Sequence, residues 1–228
     1  MFGNKNKSII MSYINLRRLI GVLGILLPFI CILGGLVFAH LPCQRSISFY
    51  YHTNMRDFFV GLMIAVSMFL ITYKGYQTKD IIVTTLSGIS GIGIALFPLE
   101  FFKGLAVPIG LFQVNSQVSS AVHVACAGMF FALLAVNSMF LFTLSREGRE
   151  PRTENKKIRN SIYIGCGVVI LISLFAFAML YVFLGDDKLN QGNLVLILES
   201  VMLFAFGISW LVKGETLFRD GKKNQGSK

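Results

Sequence analysis

Long runs of apolar residues, separated by short polar stretches, make up most of this chain. A helix that crosses a membrane needs about 20 consecutive, mostly apolar residues. Six runs approach or exceed this length, and the shortest has 16 residues. They cover residues 19–39, 58–73, 81–99, 119–144, 161–184 and 193–212. The pattern predicts an all-α polytopic bundle of six transmembrane helices, forming a single transmembrane domain over residues 1–228.

Composition agrees with a membrane protein. Hydrophobic residues make up 54% of the 228 residues and charged residues only 14%, whereas soluble domains contain about 25% charged residues. Six spans leave no room for a soluble catalytic domain, so any chemistry takes place in or at the bilayer. The first apolar run has 21 residues, longer than the roughly 7–15 of a signal-peptide core, and we therefore expect it to be an uncleaved span.

The distribution of Lys and Arg predicts the orientation. Of the 21 basic residues, 17 fall in the two terminal segments and in the connections on the same side of the predicted bundle, including the polar linker 145–160. Four fall on the other side: Arg45, Arg56, Lys103 and Lys188. Because basic residues accumulate in cytoplasmic loops, both termini are predicted to be cytoplasmic. A basic collar facing anionic lipids accounts for the net charge of +10 without a nucleic-acid partner.

Ionisable residues inside a membrane are costly and therefore mark candidate functional sites. Glu199 lies 14 residues from Lys213, or about 21 Å along a helix. The helical rise per residue, counted from the basic or acidic residue at the other end of each span, places Asp57, Glu100 and His123 near the outer boundary of the bilayer. Four helices thus bring acids and an imidazole to one level. His123, Glu199 and Asp57 are the candidate catalytic residues.

The segment before the second span adds polar and aromatic side chains at the same level. Candidate residues for substrate binding are Tyr50, Tyr51, His52, Arg56 and Glu100. Together with the catalytic candidates they predict a polar pocket at the outer face. Arg56 is suited to a lipid phosphate, and the two tyrosines to the membrane interface.

Three interpretations of this pocket remain open. It could hold zinc, with His52, Asp57, His123 and Glu199 as candidate ligands, although no HxxxH or HExxH spacing places two ligands on one helix. It could bind a lipid head group. It could instead be a structural lock, since buried charges are normally paired.

Several segments resemble a group of uncharacterised bacterial six-helix membrane proteins. The resemblance rests on YYHTNMRDFFVG (50–61), ALFP (95–98), SAVH (120–123) and FGISWLVKGE (206–215), and it implies a bacterial inner-membrane location. More remotely, the layout resembles the Frag/Dram/Sfk type, whose eukaryotic members act in lipid remodelling and membrane homeostasis.

A weaker resemblance points to the alkaline ceramidase and adiponectin-receptor superfamily of membrane zinc hydrolases. Ser48 and His52 match its early Ser-x3-His element, but the late HxxxH is absent and six spans are predicted where that superfamily has seven. This departure counts against zinc and against amidohydrolase activity.

The expected function is binding of a lipid head group at the outer face, with hydrolysis or modification of that lipid left open. The alternatives are a small proton-coupled transporter, with Glu199 as the titrating group, and a non-catalytic partner or scaffold subunit. Transport is disfavoured because the cytoplasmic halves of the predicted spans contain no ionisable residue. Membrane lipids are the expected partners. A homo-oligomer or a membrane-protein partner is left open.

Overall fold

A computed structural model of the chain describes residues 2–75, 77–100, 112, 116–144, 153–189 and 192–218; for residues 2–10, 12, 116 and 186–189 it describes the backbone alone. The fold is all-helical, with no strand among the described residues. Its six long helices are α1 (Phe2–Val37), α2 (Arg56–Thr72), α3 (Thr78–Leu96), α4 (Ser116–Val136), α5 (Glu154–Leu189) and α6 (Leu194–Lys213).

Local sequence signals account for several helix boundaries. Gln77 and Asp80 form a capping box at the start of α3, which satisfies backbone N–H groups that have no partner within the helix. The same helix ends at Leu96, just before Pro98, because the residue preceding a proline disfavours helical backbone. A π-helical turn, Asn137–Leu141, continues α4. Gly185 interrupts α5 with a φ of 70°, a left-handed conformation that glycine adopts without steric cost.

The helices form a closed ring in chain order. Each helix packs against the next one along the chain, and α6 closes the ring against α1. We call the end of the bundle that holds the α1–α2 connection the loop end, and the opposite end, where α1 begins and α6 finishes, the terminal end. Large buried side chains fill the centre of the ring: Tyr50, Phe59, Tyr73, Phe130, Phe142, Tyr163, Phe206 and Trp210.

Five helices are long and apolar enough to cross a membrane, as expected of a membrane protein. The qualifying segments are Tyr13–Val37, Thr78–Leu96, Gln117–Leu141, Glu154–Gly185 and Leu194–Lys213. The remaining helix, α2, has 17 residues, so the sixth predicted span rests on the sequence pattern alone. The predicted linker 145–160 is described only from residue 153 onward, and Lys103 lies outside the described residues.

The helices extend beyond the predicted span bounds at the terminal end. The predicted spans contain no charged residue there, but Arg17, Asp80 and Lys213, which flank them, lie within the observed helices and are buried. This extension brings the flanking charges into the bundle.

Candidate functional site

A short 3₁₀ helix, Ser48–His52, lies between α1 and α2 at the loop end. Side-chain hydroxyls stabilise it from both sides, since Ser46 Oγ accepts a hydrogen bond from the N–H of Phe49 at 3.2 Å and Thr53 Oγ1 donates to the carbonyl of Tyr50 at 2.8 Å. Four of its five residues are buried: Ser48, Phe49, Tyr50 and Tyr51. The segment is therefore folded into the bundle rather than lying over it.

Glu199 attaches this 3₁₀ helix to α6. Its Oε2 accepts a hydrogen bond from the backbone N–H of Ile47 at 2.5 Å, and the backbone of Ser48 lies close to the same carboxyl. The first N–H groups of a helix have no partner within the helix, so the Glu199 carboxyl satisfies a donor that the chain itself leaves open. A side chain of α6 thereby determines where the 3₁₀ helix begins.

His123, on α4, contacts the same 3₁₀ helix from another side. Its Nδ1 lies 2.7 Å from the carbonyl oxygen of Phe97, and its Nε2 lies 3.0 Å from Ser48 Oγ. Because a carbonyl oxygen can only accept, Nδ1 carries the hydrogen and Nε2 presents its lone pair. Ser48 therefore donates its hydroxyl hydrogen to His123 Nε2, in the geometry of a nucleophile and its general base.

Hydrogen bonds to side chains hold the extended stretch after α3. Ser119 Oγ donates to the carbonyl of Pro98 at 2.8 Å, and Ser120 Oγ accepts from the N–H of Glu100 at 2.6 Å. His52 Nε2 donates to the carbonyl of Leu99 at 2.8 Å. The Pro98 break exposes backbone carbonyls, and polar side chains of α4 and of the 3₁₀ helix satisfy them.

Arg56 and Tyr51 form a unit at the edge of the site. The Arg56 guanidinium lies 4.5 Å from the centre of the Tyr51 ring, and its Nη2 donates to the Tyr51 hydroxyl at 3.0 Å. This arrangement combines a cation–π contact with a hydrogen bond that fixes the guanidinium plane. Asp57 is exposed on the first turn of α2 and takes no part in the hydrogen bonds around Ser48.

Burial shifts the pKa of two groups in the 3₁₀ helix. Desolvation lowers the pKa of His52 from its usual value, the hydrogen bond to Leu99 opposes this shift, and the nearby Arg56 adds to it. Desolvation also raises the pKa of Tyr50, whose hydroxyl accepts a hydrogen bond from the N–H of Gln44 at 3.5 Å. Both side chains are therefore in their neutral forms near neutral pH.

A cavity lies beside the Ser48–His123 pair, between α1, α2, α3, α4 and α6. Its enclosed volume is small, about 30 Å³, within about 340 Å³ of free space that includes the part open to its surroundings. Among the described residues that line it, Ser48 and Glu199 are the two with polar side chains. The apolar lining residues are Leu27, Ile47, Phe59, Met63, Ile94, Ala127, Phe130, Phe131 and Leu203. The lining of the cavity is thus mainly apolar, with two polar groups in its wall.

Three of the four candidate zinc ligands hydrogen-bond to other protein groups in the structure, and the fourth is exposed. His123 and Glu199 hydrogen-bond to Ser48 and to backbone groups, His52 hydrogen-bonds to a backbone carbonyl, and Asp57 is exposed. In the part of the chain that the structure describes, no group of three or more His, Cys, Asp or Glu side chains is placed to hold a metal ion.

The structure brings some of the candidate residues together and separates others. His123 and Glu199 both contact the Ile47–Ser48 segment, while His52, Tyr51 and Arg56 lie further along it. Glu100 joins through its backbone. Tyr50 is fully buried with its ring against Gly35 of α1, which makes it a core residue. The sequence linked Ser48 with His52, whereas the structure pairs Ser48 with His123, 75 residues away.

No family model matches this chain, and neither curated proteins nor solved structures show significant similarity to it. The resemblances noted from the sequence therefore stay predictions.

Proposed function

We propose that this chain is a multi-pass membrane protein that binds a membrane lipid at its loop end. In this proposal α2 is the sixth span, both termini are cytoplasmic, and the loop end faces away from the cytoplasm in a bacterial inner membrane. The observation that carries the proposal is the mainly apolar cavity with Ser48 and Glu199 in its wall.

The apolar lining matches the chemistry of an acyl chain, and the enclosed space of about 30 Å³ must widen to admit one. Apolar cavities exclude water and accept apolar ligands, and the contributing side chains come from five different helices. The Ser48 hydroxyl and the Glu199 carboxyl are suited to the ester or hydroxyl groups that join an acyl chain to its head group. Arg56, held on the Tyr51 ring at 4.5 Å, is suited to the phosphate of that head group because guanidinium groups bind phosphate oxygens in pairs.

Substitution of an alanine in the cavity wall tests the proposal. Ala127→Leu adds three carbons to the lining, while Ala125→Leu makes the same change at an exposed position of the same helix. Native mass spectrometry of protein purified in mild detergent measures retained lipid. We expect bound lipid in the wild type and in Ala125→Leu, and its loss in Ala127→Leu. Equal retention in all three proteins would contradict the proposal.

Ester hydrolysis is a second candidate function, and the Ser48–His123 hydrogen bond favours it. Ser48 Oγ would attack the ester carbonyl carbon as its proton moves to His123 Nε2. The imidazole would then return that proton to the departing alcohol oxygen, leaving an acyl-serine that water hydrolyses with the same histidine as base. The Phe97 carbonyl holds the imidazole in the required tautomer.

A fluorophosphonate probe tests this second candidate, because it reacts with activated serines by displacement of fluoride. Labelling is expected in the wild type and in Ser209→Ala, a buried serine of α6 whose hydroxyl donates to a carbonyl of its own helix, and it is expected to disappear in Ser48→Ala and to slow strongly in His123→Ala. Absence of labelling in a protein that still retains lipid rejects hydrolysis and leaves lipid binding as the function.

A further inference from the structure

The helices α4 and α5 are in close contact at one level of the bundle. A Cβ added to Gly167 of α5 would lie 3.1 Å from the backbone carbonyl oxygen of Ala135 and still closer to the side chain of Met139. Gly167 and Ala135 are both buried. Because Gly167 has no side chain, the two backbones approach each other closely at this level, as small residues allow in membrane helices.

This contact is lost on α4 within two helical turns towards the loop end. Residues seven apart share a helix face, so Gly128 and Ala121 lie on the same side of α4 as Ala135, about 10 and 21 Å further along. No heavy atom of the described residues beyond its own helical turns lies within 4 Å of a Cβ added to Gly128, and Ala121 is exposed. The face of α4 that α5 covers at Ala135 is therefore uncovered at the loop end.

The helix α5 shows the same change on its side of the contact. Leu171 and Ala178 lie about one and three turns after Gly167, on the same helix face, and both are exposed. Ser173 is the last buried residue of α5 among those whose side chains the structure describes, which extend to Gly185. The two helices therefore diverge towards the loop end and leave an apolar groove between them, which we call the α4–α5 groove.

The α4–α5 groove adjoins the cavity beside Ser48. Among the described residues that line this cavity, none belongs to α5. The lining residues are buried except Ala127 of α4 and Glu199 of α6, which are half-buried. These two helices flank α5 in the ring, and Ala127 is the direct neighbour of Gly128. The accessible part of the cavity wall thus lies where α5 has moved away from α4.

We propose that the α4–α5 groove seats an acyl chain of a phospholipid from the surrounding leaflet and connects it sideways with the cavity. This inference rests on the proposed lipid binding and adds the route by which the lipid enters. The enclosed part of the cavity, about 30 Å³, has room for only two or three groups about the size of a water molecule. An acyl chain therefore needs further apolar space next to the cavity, and the groove supplies it on a side that faces the bilayer.

Obstruction of the groove tests this route. Gly128→Trp places a large side chain in the groove and changes no described residue of the cavity lining. Gly165→Trp is the matched control, because Gly165 is exposed on α5 and residues two apart on a helix point to nearly opposite sides, so it faces away from the contact at Gly167. Each purified full-length protein is loaded with phosphatidylglycerol that has deuterated acyl chains and is then mixed with unlabelled phosphatidylglycerol in detergent. Native mass spectrometry follows the labelled fraction over time.

The groove predicts slower exchange of bound lipid only where it is obstructed. We expect exchange about tenfold slower in Gly128→Trp than in the wild type, since an obstructed exit slows release, and the wild-type rate in Gly165→Trp. If Gly128→Trp does not fold, Gly128→Leu decides, with slowing of about threefold or more. Bound lipid that exchanges at the wild-type rate in the Gly128 variants overturns the groove and leaves lipid binding in the cavity intact. A wild type that retains no lipid rejects the proposed function, and the groove with it.

Discussion

Glu199 accepts a hydrogen bond from the backbone N–H of Ile47, a residue 152 positions earlier in the chain. The contact joins α6 to the start of the 3₁₀ helix that carries Ser48. The Glu199 side chain therefore joins the proposed site to α6, the helix that closes the ring by packing against α1.

Substitution of Glu199 should destabilise the protein. Glu199→Leu leaves the buried backbone N–H of Ile47 without this acceptor, at a cost of about 1–3 kcal/mol, while Glu199→Gln keeps an acceptor and should cost about 1 kcal/mol or less. Thermal unfolding in detergent measures both, and the Tm should fall by several degrees in the first variant. Glu154→Gln, at an exposed surface pair, is the control. A Tm unchanged by Glu199→Leu would show that the hydrogen bond does not stabilise the fold.

The pKa of His52 predicts a pH-dependent stability. Burial lowers its pKa in the folded protein below the unfolded value, so the unfolded chain binds the proton more tightly. Its contribution to stability is therefore present above the unfolded pKa of about 6.5 and is lost as the pH falls towards the folded pKa. The Tm of the wild type should drop between pH 7 and pH 5 more than that of His52→Gln. An identical drop in both proteins would contradict this assignment.

A matched control for the pH experiment is available in the same loop region. His40 is exposed and has a φ of 51°, a backbone conformation that asparagine tolerates. His40→Asn should therefore retain the full pH dependence of the wild type.

Gly207 lies where α6 packs closely against α1. A Cβ at this position would lie 2.7 Å from the carbonyl oxygen of Gly21 and 2.5 Å from the side chain of Ile25. Gly207→Ala should therefore destabilise the protein by about 1–3 kcal/mol through overpacking. Gly128→Ala, on α4, has nothing within 4 Å of the new Cβ and should be neutral or slightly stabilising. Equal Tm values for the two variants in detergent would be inconsistent with this packing.

Cys43 offers a direct test of the proposed orientation. It is exposed at the loop end, whereas Cys31 and Cys166 are buried and Cys126 is half-buried. The test uses cells whose outer membrane has been removed and whose inner membrane is intact. A membrane-impermeant maleimide added to these cells should label the protein, and Cys43→Ser should abolish that labelling. Labelling that requires permeabilised cells would place the loop end in the cytoplasm and reverse the proposed topology.

The apolar runs predicted the helices well because a spanning helix is encoded locally, in about 20 consecutive residues. Helix ends were harder to predict. The α1 helix includes Arg17, and α6 extends to Lys213, since charged residues continue a helix as readily as apolar ones. For this reason the sequence did not predict that Arg17, Asp80 and Lys213 are buried at the terminal end.

The candidate site was only partly predictable. The high cost of ionisable groups in a membrane made His123 a candidate, and His123 is buried in the structure. The same reasoning could not reveal its partner, because Ser48 lies 75 residues away and only tertiary packing brings the two together. The same reasoning made Asp57 a candidate, but Asp57 is exposed. Phe59, two positions further along α2, faces the core, and residues two apart on a helix point to nearly opposite sides.

Photocrosslinking with a phospholipid whose acyl chain carries a diazirine tests the central claim, lipid binding in the cavity, most directly. Peptide mapping by mass spectrometry should locate crosslinks on cavity residues such as Met63, Phe130 and Leu203, and excess unlabelled lipid should suppress them. Crosslinks confined to lipid-facing residues such as Ile172 and Phe175, which are 63% and 66% exposed, would contradict binding in the cavity.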